Sequence, residues 1–290
     1  MQTIVITGAT SGLGRLAALD LARRGAHVVI TARDPLKAER LRAEAGVEVV
    51  QGDLSRLADV RRIAREISDR HEHVDVLVNN AGLHAFTARA TADGLPQMVA
   101  VNYLAPWLLT RELLPALRRA PAARVVTVAS QAARRHGSLR LPDDLTEVVP
   151  FTARGSSAHY GRSKLLGIMF TRELARRLAG TTVTANCLNP GFNTTGLGRE
   201  LRFAAPLERV LTRLSIGDPA RGAALITTLA ADPAFAGRSG GYHSVPGARV
   251  ITPPAPAGDP ALEARLWRET ERLVDGYSGG EGAETGSPAR

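Results

Sequence analysis

The 290-residue sequence contains a single cysteine, Cys187, which excludes an internal disulfide and most thiolate metal sites. It has no apolar run long enough to cross a bilayer, so no membrane span is predicted. The segment after Met1 leads directly into a strand-like run, without the charged and apolar regions of a signal peptide. Together these absences predict a cytoplasmic protein.

Aromatic residues are also scarce, at 4%, although the formal net charge is +9. Stacking on nucleic-acid bases needs aromatic side chains, and the arginines here are spread along helical segments instead of forming one block. The charge therefore indicates an arginine-rich solvated surface, and no nucleic-acid partner is predicted. His71 and His73 lie two residues apart, which is poor spacing for one helical face, so no metal site is predicted either.

Lysine is nearly absent, since Lys37 and Lys164 are the only lysines among 37 basic Lys and Arg residues. Lys164 follows Tyr160 by four residues, which places both on one side of a helix. A tyrosine can donate a proton near neutral pH only if its pKa of about 10 is lowered, and a nearby cation does this. Unlike a guanidinium, an ammonium can also release its proton. The pair therefore predicts acid catalysis of carbonyl reduction, with Ser130 binding the oxygen; an ordinary amphipathic helix pair is the alternative.

Short β-branched runs alternate with longer helical stretches along the chain. The strands are predicted at 3–7, 27–31, 47–51, 74–79, 124–130, 182–189 and 240–245. This order predicts one α/β domain over residues 1–276, a Rossmann-type doubly wound parallel sheet of about seven strands with helices on both faces. A Pro-rich connection leads to a further C-terminal helix, and residues 277–290 are predicted to be a disordered tail.

A glycine-rich turn follows the first strand. Gly8, Gly12 and Gly14 allow the backbone to approach a ligand, and the free amides of the next helical turn favour a pyrophosphate. Ser11 and Leu13 belong to the same turn. The position of this turn, after a first strand and before an amphipathic helix, predicts a dinucleotide site.

The end of the second strand carries the residue that distinguishes the two nicotinamide cofactors. An acidic side chain there would bind the adenosine ribose and repel a 2′-phosphate, whereas Arg33 can clamp that phosphate. NADP(H) is therefore predicted, with NAD(H) the less favoured cofactor. Asp34 argues against this, and a surface arginine beside an Asp34–Pro35 helix start is the alternative.

Small and polar residues end the next two strands. Asp53, followed by Leu54, could face the adenine, although capping of the next helix would explain it equally well. Asn80, Ala81 and Gly82 suit a ribose at the switch point of the sheet.

The motifs "TGATSGLG", "NNAG", Ser130, "YGRSK" and "NPG" occur in this order within residues 2–250. In this the chain resembles the short-chain dehydrogenases/reductases. The segments "VNYLAPWLLTRELLPAL", "LPDDL" and "LWRETERLVDG" are most similar to the retinol dehydrogenase-like branch. The resemblance implies a catalytic tetrad of Asn102, Ser130, Tyr160 and Lys164. The predicted cofactor contacts are Gly8, Ser11, Gly12, Leu13, Gly14, Arg33, Asp53, Leu54, Asn80, Ala81, Gly82, Tyr160, Lys164, Pro190 and Thr195.

Pro106 is unusual for that branch. In the family, the backbone oxygen of Asn102 holds a water that passes protons to the lysine. Pro106 has no amide to bond that oxygen, so it would leave the oxygen free by a kink. A helix broken for packing reasons is the alternative.

The expected activity is NADP(H)-dependent hydride transfer between the nicotinamide and a ketone or aldehyde, or the corresponding alcohol. Apolar residues in segment 192–214 indicate a bulky, largely apolar substrate, although core packing also explains them. The alternatives are an enzyme of the same fold with a different net reaction, such as dehydration, epimerisation or cyclisation, and a non-catalytic NADP-binding sensor. The resemblance also implies a homodimer or homotetramer formed through residues 95–119 and 158–179, one surface of which the C-terminal helix could block.

Overall fold

The computed structural model describes residues 1–191 and 218–277. The apolar segment 192–214, with Thr195, and the predicted tail beyond residue 277 lie outside this range. The strands are β1 (Thr3–Thr7), β2 (His27–Ala32), β3 (Glu48–Gln51), β4 (Val76–Asn79), β5 (Ala123–Val128), β6 (Val183–Asn189), β7 (Tyr242–Ser244) and β8 (Arg249–Val250).

The strands form one twisted sheet in the order β3-β2-β1-β4-β5-β6-β7-β8. Neighbouring strands from β3 to β7 are parallel, and β8 pairs antiparallel with β7. The chain order reverses between β1 and β4, so their carboxyl ends border the crevice where doubly wound sheets bind ligands. The predicted parallel sheet is confirmed. The two-residue edge strand β8 was not predicted, because both of its residues are exposed and carry no periodic pattern.

Helices cover both faces of the sheet, as predicted. They are α1 (Gly12–Arg23), α2 (Pro35–Ala45), α3 (Leu57–Arg70), α4 (Gln97–Val99), α5 (Ala105–Arg119), α6 (Asp143–Thr146), α7 (Ala153–Arg177), α8 (Pro219–Ala231) and α9 (Pro260–Gly276). Side chains of α3, α5, α7 and α9 pack on one face, and those of α1, α2 and α8 on the other. Within β1, Val5 joins the first layer while Ile4 and Ile6 join the second, as the twofold alternation of a strand requires.

The C-terminal helix α9 lies against α5 and α7. Its Trp267 ring packs 5.3 Å from the Trp107 ring and 6.0 Å from the Phe170 ring, measured between centroids. The hydroxyl groups of Tyr103 and Thr270 share a hydrogen bond beneath this contact. Helix α9 thus lies on two helices that belong to the segments through which a homodimer or homotetramer is predicted to form, and the oligomeric state stays a prediction.

Glu263 anchors α9 through a buried carboxylate. One oxygen accepts hydrogen bonds from the Arg172 guanidinium at 3.0 Å and from the Gly258 amide at 2.8 Å, and the other pairs with Arg176. Breaking a buried ion pair leaves its partners uncompensated, although partial exposure of these arginines reduces the cost.

We therefore expect Glu263→Gln to lower the free energy of unfolding by about 2 kcal/mol, as measured by urea denaturation. Glu269→Gln is the matched control, because Glu269 lies on the same helix and, within the described part of the chain, pairs with the exposed Arg272 alone. Equal effects of the two substitutions would show that the buried pairs do not hold α9 in place.

Candidate active site

Tyr160 and Lys164 lie one turn apart on α7, beneath the carboxyl end of β5. Both are buried, with 8% and 5% of their surfaces exposed. The Lys164 ammonium lies 5.9 Å from the centre of the Tyr160 ring and donates a hydrogen bond to the Val128 carbonyl at 2.9 Å. Gly82 provides the space for it, since a Cβ there would be only 3.0 Å from the Lys164 nitrogen.

Ser130 follows β5 and meets Tyr160 from the other side. It is the N-cap of a 3₁₀ turn, where its hydroxyl oxygen accepts from the Ala132 amide at 3.1 Å. The Ser130 side chain lies close enough to the Tyr160 hydroxyl to favour its ionised form. A half-buried serine and a buried phenol therefore lie together near an ammonium, and their catalytic roles stay a prediction.

Burial controls the ionisation of this group. It raises the pKa of Tyr160 to about 12, and the nearby Ser130 side chain lowers that pKa only in part. Burial also lowers the pKa of Lys164 to about 8. The expectation that a nearby cation makes the phenol more acidic, with the positive charge of a nicotinamide adding to it, stays a prediction.

The side chain of Asn102 is fully engaged in holding the site together. Its amide nitrogen donates to the Leu83 carbonyl and to the Ser163 hydroxyl, both at 2.9 Å, and its oxygen accepts from the Leu83 amide at 2.8 Å. Asn102 therefore links the loop after β4 to α7.

The helix around Asn102 is irregular. Residues Ala100–Leu104 form a π-helical turn in which the Ala105 amide donates to the Ala100 carbonyl, and Pro106 follows at once. A π-turn is a common way to accommodate a missing helical amide, and such turns are frequent at functional sites. A water on the Asn102 carbonyl stays a prediction.

The glycine-rich turn packs directly on the end of β4. Gly8 has φ +66°, and a Cβ there would lie 2.7 Å from the Ala81 Cα. A Cβ on Gly14 would overlap the Asn80 side-chain nitrogen. These two glycines are therefore required by the contact between the two turns, as well as by any ligand.

The start of α1 fits the phosphates of a dinucleotide. Ser11, the N-cap residue, makes no side-chain hydrogen bond to the helix, and the first turn carries no acidic residue. Gly12 (φ +57°) begins the helix, and Leu13 packs partly against the apolar layer of α1. Uncapped amides at the positive end of a helix dipole favour an anion.

Asn80 joins the glycine turn to β4. Its side-chain nitrogen donates to the carbonyls of Thr7, at 2.8 Å, and Gly8, at 3.2 Å. The Thr7 hydroxyl accepts from the amides of Asn80 and Ala81, both at 3.0 Å. Sequence reasoning missed Thr7, because its partners lie more than 70 residues away and a threonine that ends a strand gives no special signal.

Of the charged residues that follow β2 and β3, some form hydrogen bonds within the protein and others are exposed to solvent. The Asp34 carboxylate accepts from the amides of Leu36 and Lys37 at 3.1 and 3.2 Å, so it caps α2. The hydrogen bond from the Lys37 side chain lowers the pKa of Asp34. Arg33 is 74% exposed on its side chain, and its nearest carboxylate oxygen, on Asp53, is 3.9 Å away. Asp34, the acidic residue that argues against NADP(H), therefore serves as the N-cap of helix α2.

Asp53 forms hydrogen bonds within the turn before α3, which is the alternative that the sequence left open. Its carboxylate accepts from the Ser55 amide at 2.9 Å, and its own amide donates to Asp59. The following Leu54 packs partly against the core.

Pro190 is buried just after β6. The nearby Asn189, which sequence reasoning missed, accepts hydrogen bonds from the Gln131 amide, at 3.1 Å, and the Gly191 amide, at 3.2 Å.

Comparison with known proteins identifies the family. The sequence model described as short chain dehydrogenase matches residues 2–141. Human "Retinol dehydrogenase 14" is 36% identical, over 94% of this chain and 86% of that protein. The chain is a member of the short-chain dehydrogenase family, in its retinol dehydrogenase-like branch. The prediction of a nicotinamide-dependent oxidoreductase is confirmed at this level.

Two other relatives of this short-chain dehydrogenase carry more specific names. A Streptomyces sp. (strain C5) protein, provisionally assigned as daunorubicin C-13 ketoreductase DnrU, is 34% identical over 94% of this chain and 92% of its own length. The solved Pseudomonas aeruginosa RhlG/NADP active-site complex is 28% identical, with a TM-score of 0.66 over 85% of this chain and 95% of that chain.

His84 is a further member of this dehydrogenase's site that the sequence did not indicate. Its ring stacks on the Tyr160 ring with centroids 4.6 Å apart, and its Nε2 lies 3.1 Å from the Ser156 hydroxyl. That hydroxyl donates to the Ala153 carbonyl, so it accepts from His84. His84 lies in a loop without periodicity, two residues after "NNAG", which is why no pattern marked it.

A groove of about 480 Å³, including its open mouth, is lined in part by Ala85, Met98 and Phe151, which also pack around Tyr160. Neither Tyr160 nor Ser130 lines this groove, and its walls also carry several charged side chains. Among the helices of the described residues, none is long and apolar enough to span a membrane.

Proposed function

We propose that this short-chain dehydrogenase transfers a hydride between NADP(H) and the carbonyl or alcohol group of a bulky, largely apolar small molecule. The observation that carries the proposal is the buried phenol of Tyr160, with the Ser130 side chain near it and the Lys164 ammonium 5.9 Å from its ring centre. A ketone or aldehyde oxygen placed there would meet two hydroxyl donors at once.

In the proposed mechanism, Ser130 and Tyr160 bind the carbonyl oxygen, and Tyr160 gives it a proton. A nicotinamide held at this site would supply the hydride and, in its oxidised form, a positive charge. That charge would counteract the burial that raises the pKa of Tyr160. Lys164, whose pKa of about 8 lies close to neutrality, can return a proton to the site and be reprotonated in turn.

The preference for NADP(H) is supported by charge. Arg33 projects an exposed guanidinium at the end of β2, whereas Asp34 is turned into the cap of α2 and paired with Lys37 at 3.0 Å. A guanidinium can form two parallel hydrogen bonds with a phosphate. A relative of known structure, RhlG, has been solved with NADP.

We expect Arg33→Asp to raise the KM for NADPH by about 10- to 100-fold, because it replaces a charge-assisted hydrogen bond by repulsion. The KM for NADH should fall, since a carboxylate can accept from the ribose hydroxyls. Steady-state kinetics with each cofactor measures both values. Arg42→Asp on α2 is the matched control, because Arg42 is exposed and pairs only with Glu39. Equal NADPH KM values for the two variants would contradict the assignment.

An apolar substrate is supported by Ala85, Met98 and Phe151, which form one apolar cluster with Tyr160. The names of the relatives, retinol dehydrogenase and daunorubicin ketoreductase, refer to large molecules with extended apolar parts. The direct test incubates the enzyme and NADPH with a panel of bulky aldehydes and ketones. Oxidation of one NADPH for each alcohol formed supports the proposal. Conversion without net NADPH consumption would instead identify a dehydratase, epimerase or cyclase.

We further propose that the protein acts in the cytoplasm, where its single buried Cys187 would stay reduced. The proposed partner is the small-molecule substrate, without nucleic acid, and a homodimer or homotetramer stays the predicted assembly.

A further inference from the structure

Three potential metal ligands meet at the amino-terminal edge of the sheet, at the opposite end of the strands from Tyr160. His27 begins β2, Glu48 begins β3, and His71 directly follows α3. Their ligand atoms all lie within 4.8 Å of one another. No metal site was predicted from the sequence, because His71 was compared with its neighbour His73, while its actual partners lie 23 and 44 residues away.

One carboxylate oxygen lies between the two imidazoles. Glu48 Oε2 is 2.9 Å from His27 Nε2 and 3.1 Å from His71 Nε2. A tetrahedral Zn²⁺ site has metal–ligand distances of about 2.0–2.2 Å, which separates ligand atoms by about 3.3 Å. Both distances to Glu48 are within a few tenths of an ångström of this spacing, and the two imidazole nitrogens lie within 4.8 Å of each other.

The hydrogen bonding of the triangle is incomplete. His27 Nε2 forms a hydrogen bond with Glu48, but His71 Nε2 is buried and, despite its short distance to the carboxylate, has no aligned hydrogen-bond partner. Buried polar atoms are rarely left in this state. A cation between the three atoms would satisfy both imidazole nitrogens at once.

The residues around Glu48 orient its carboxylate through the oxygen that does not face the histidines. Arg70 donates to Glu48 Oε1 at 3.1 Å, which leaves Oε2 to the histidines. The other arm of the Arg70 guanidinium pairs with Glu66, which also pairs with Arg62. Hydrogen bonds of this kind to the second oxygen of a ligating carboxylate are typical around metal ions.

We propose that His27, Glu48 and His71 form a site for Zn²⁺, with water as the fourth ligand. Two imidazoles and one carboxylate are a ligand set that zinc accepts in proteins. The site joins the starts of β2 and β3 to the end of α3, so the ion would stabilise this edge of the domain and take no part in hydride transfer.

The test is titration of tag-free, metal-free protein with Zn²⁺, by calorimetry at neutral pH. We expect one ion per chain, and His71→Gln should weaken binding by about tenfold or more. His73→Gln is the matched control: it lies two residues away, and its nearest recorded acidic partner is Asp75 at 3.6 Å. NADPH oxidation by the wild-type enzyme should be equal with and without Zn²⁺.

His27→Gln provides a second, independent variant from another strand, and circular dichroism confirms that each variant is folded. The proposal is overturned if the wild-type protein binds no zinc at up to about 100 µM, a level at which two imidazoles and a carboxylate would be occupied. It is equally overturned if the His71 and His73 variants bind alike. Either result would leave the triangle as a hydrogen-bonded cluster.

Discussion

Replacing Tyr160 by phenylalanine is expected to lower kcat for carbonyl reduction by about 10³-fold, while NADPH binding changes by less than about twofold. The ring would still pack between His84 and the apolar side chains that surround Tyr160, since only the hydroxyl is removed. Ser130 would lose its partner, and the substrate oxygen would lose its proton donor. A proton donor positioned in the transition state contributes a factor of this size.

Stopped-flow or steady-state assays give kcat, and fluorescence titration gives NADPH affinity independently. Tyr277→Phe is the matched control, because it removes the same atom from an exposed tyrosine whose hydroxyl donates to the Asp93 carbonyl. A Tyr160→Phe enzyme with near-normal turnover would rule out the proposed acid. Turnover lost together with NADPH binding would point to a structural role for the hydroxyl instead.

The sheet could be predicted from the sequence because its strands are buried on both faces. Runs such as "TIVIT" and "HVVIT" consist almost entirely of β-branched residues with an apolar centre, as is typical of a parallel strand that is covered on both faces. Strand β7 gave a weaker signal and proved three residues long. The edge strand β8 has exposed residues that only its pairing with β7 defines, so the sequence carried no mark of it.

The candidate site was predictable where a residue's own chemistry determines its place. A tyrosine and a lysine one helical turn apart must share a side of α7, and glycines between a strand and a helix must turn. The contacts that hold these residues were not predictable. Thr7 meets Asn80 across 73 positions, and Asn189 reaches Gln131 across 58. Such pairs depend on the strand order, which periodicity does not encode.

The electrostatics were the least predictable part. The sequence indicates that Lys164 is near Tyr160 but not where its ammonium points, and the Val128 carbonyl receives its hydrogen bond. The direction of both pKa shifts follows from burial, which depends on the whole fold. The position of Asp34 was equally open, and it was resolved by two backbone amides of α2.

Lys164→Arg is expected to reduce kcat by about 10²-fold or more, although it conserves the charge. The ammonium fits a space bounded by Gly82, where even a Cβ would approach it to 3.0 Å, and a planar guanidinium is larger. Arginine also cannot deprotonate in a protein, so it cannot pass a proton to the phenol.

The pH profile separates these two causes. Burial lowers the pKa of Lys164 to about 8, so its protonated form is present below that pH and disappears above it. Reduction consumes a proton, so kcat of the wild-type enzyme should fall as the pH rises through about 8. The Lys164→Arg enzyme should show no such fall in kcat up to pH 10.

Lys37→Arg is the matched control, since it changes the chain's other lysine, on the surface of α2, and should keep this fall in kcat. If the Lys164 variant kept it as well, the titrating group would lie elsewhere. Only a steric reason would then explain why Lys164 is a lysine in a chain whose other cations are almost all arginine.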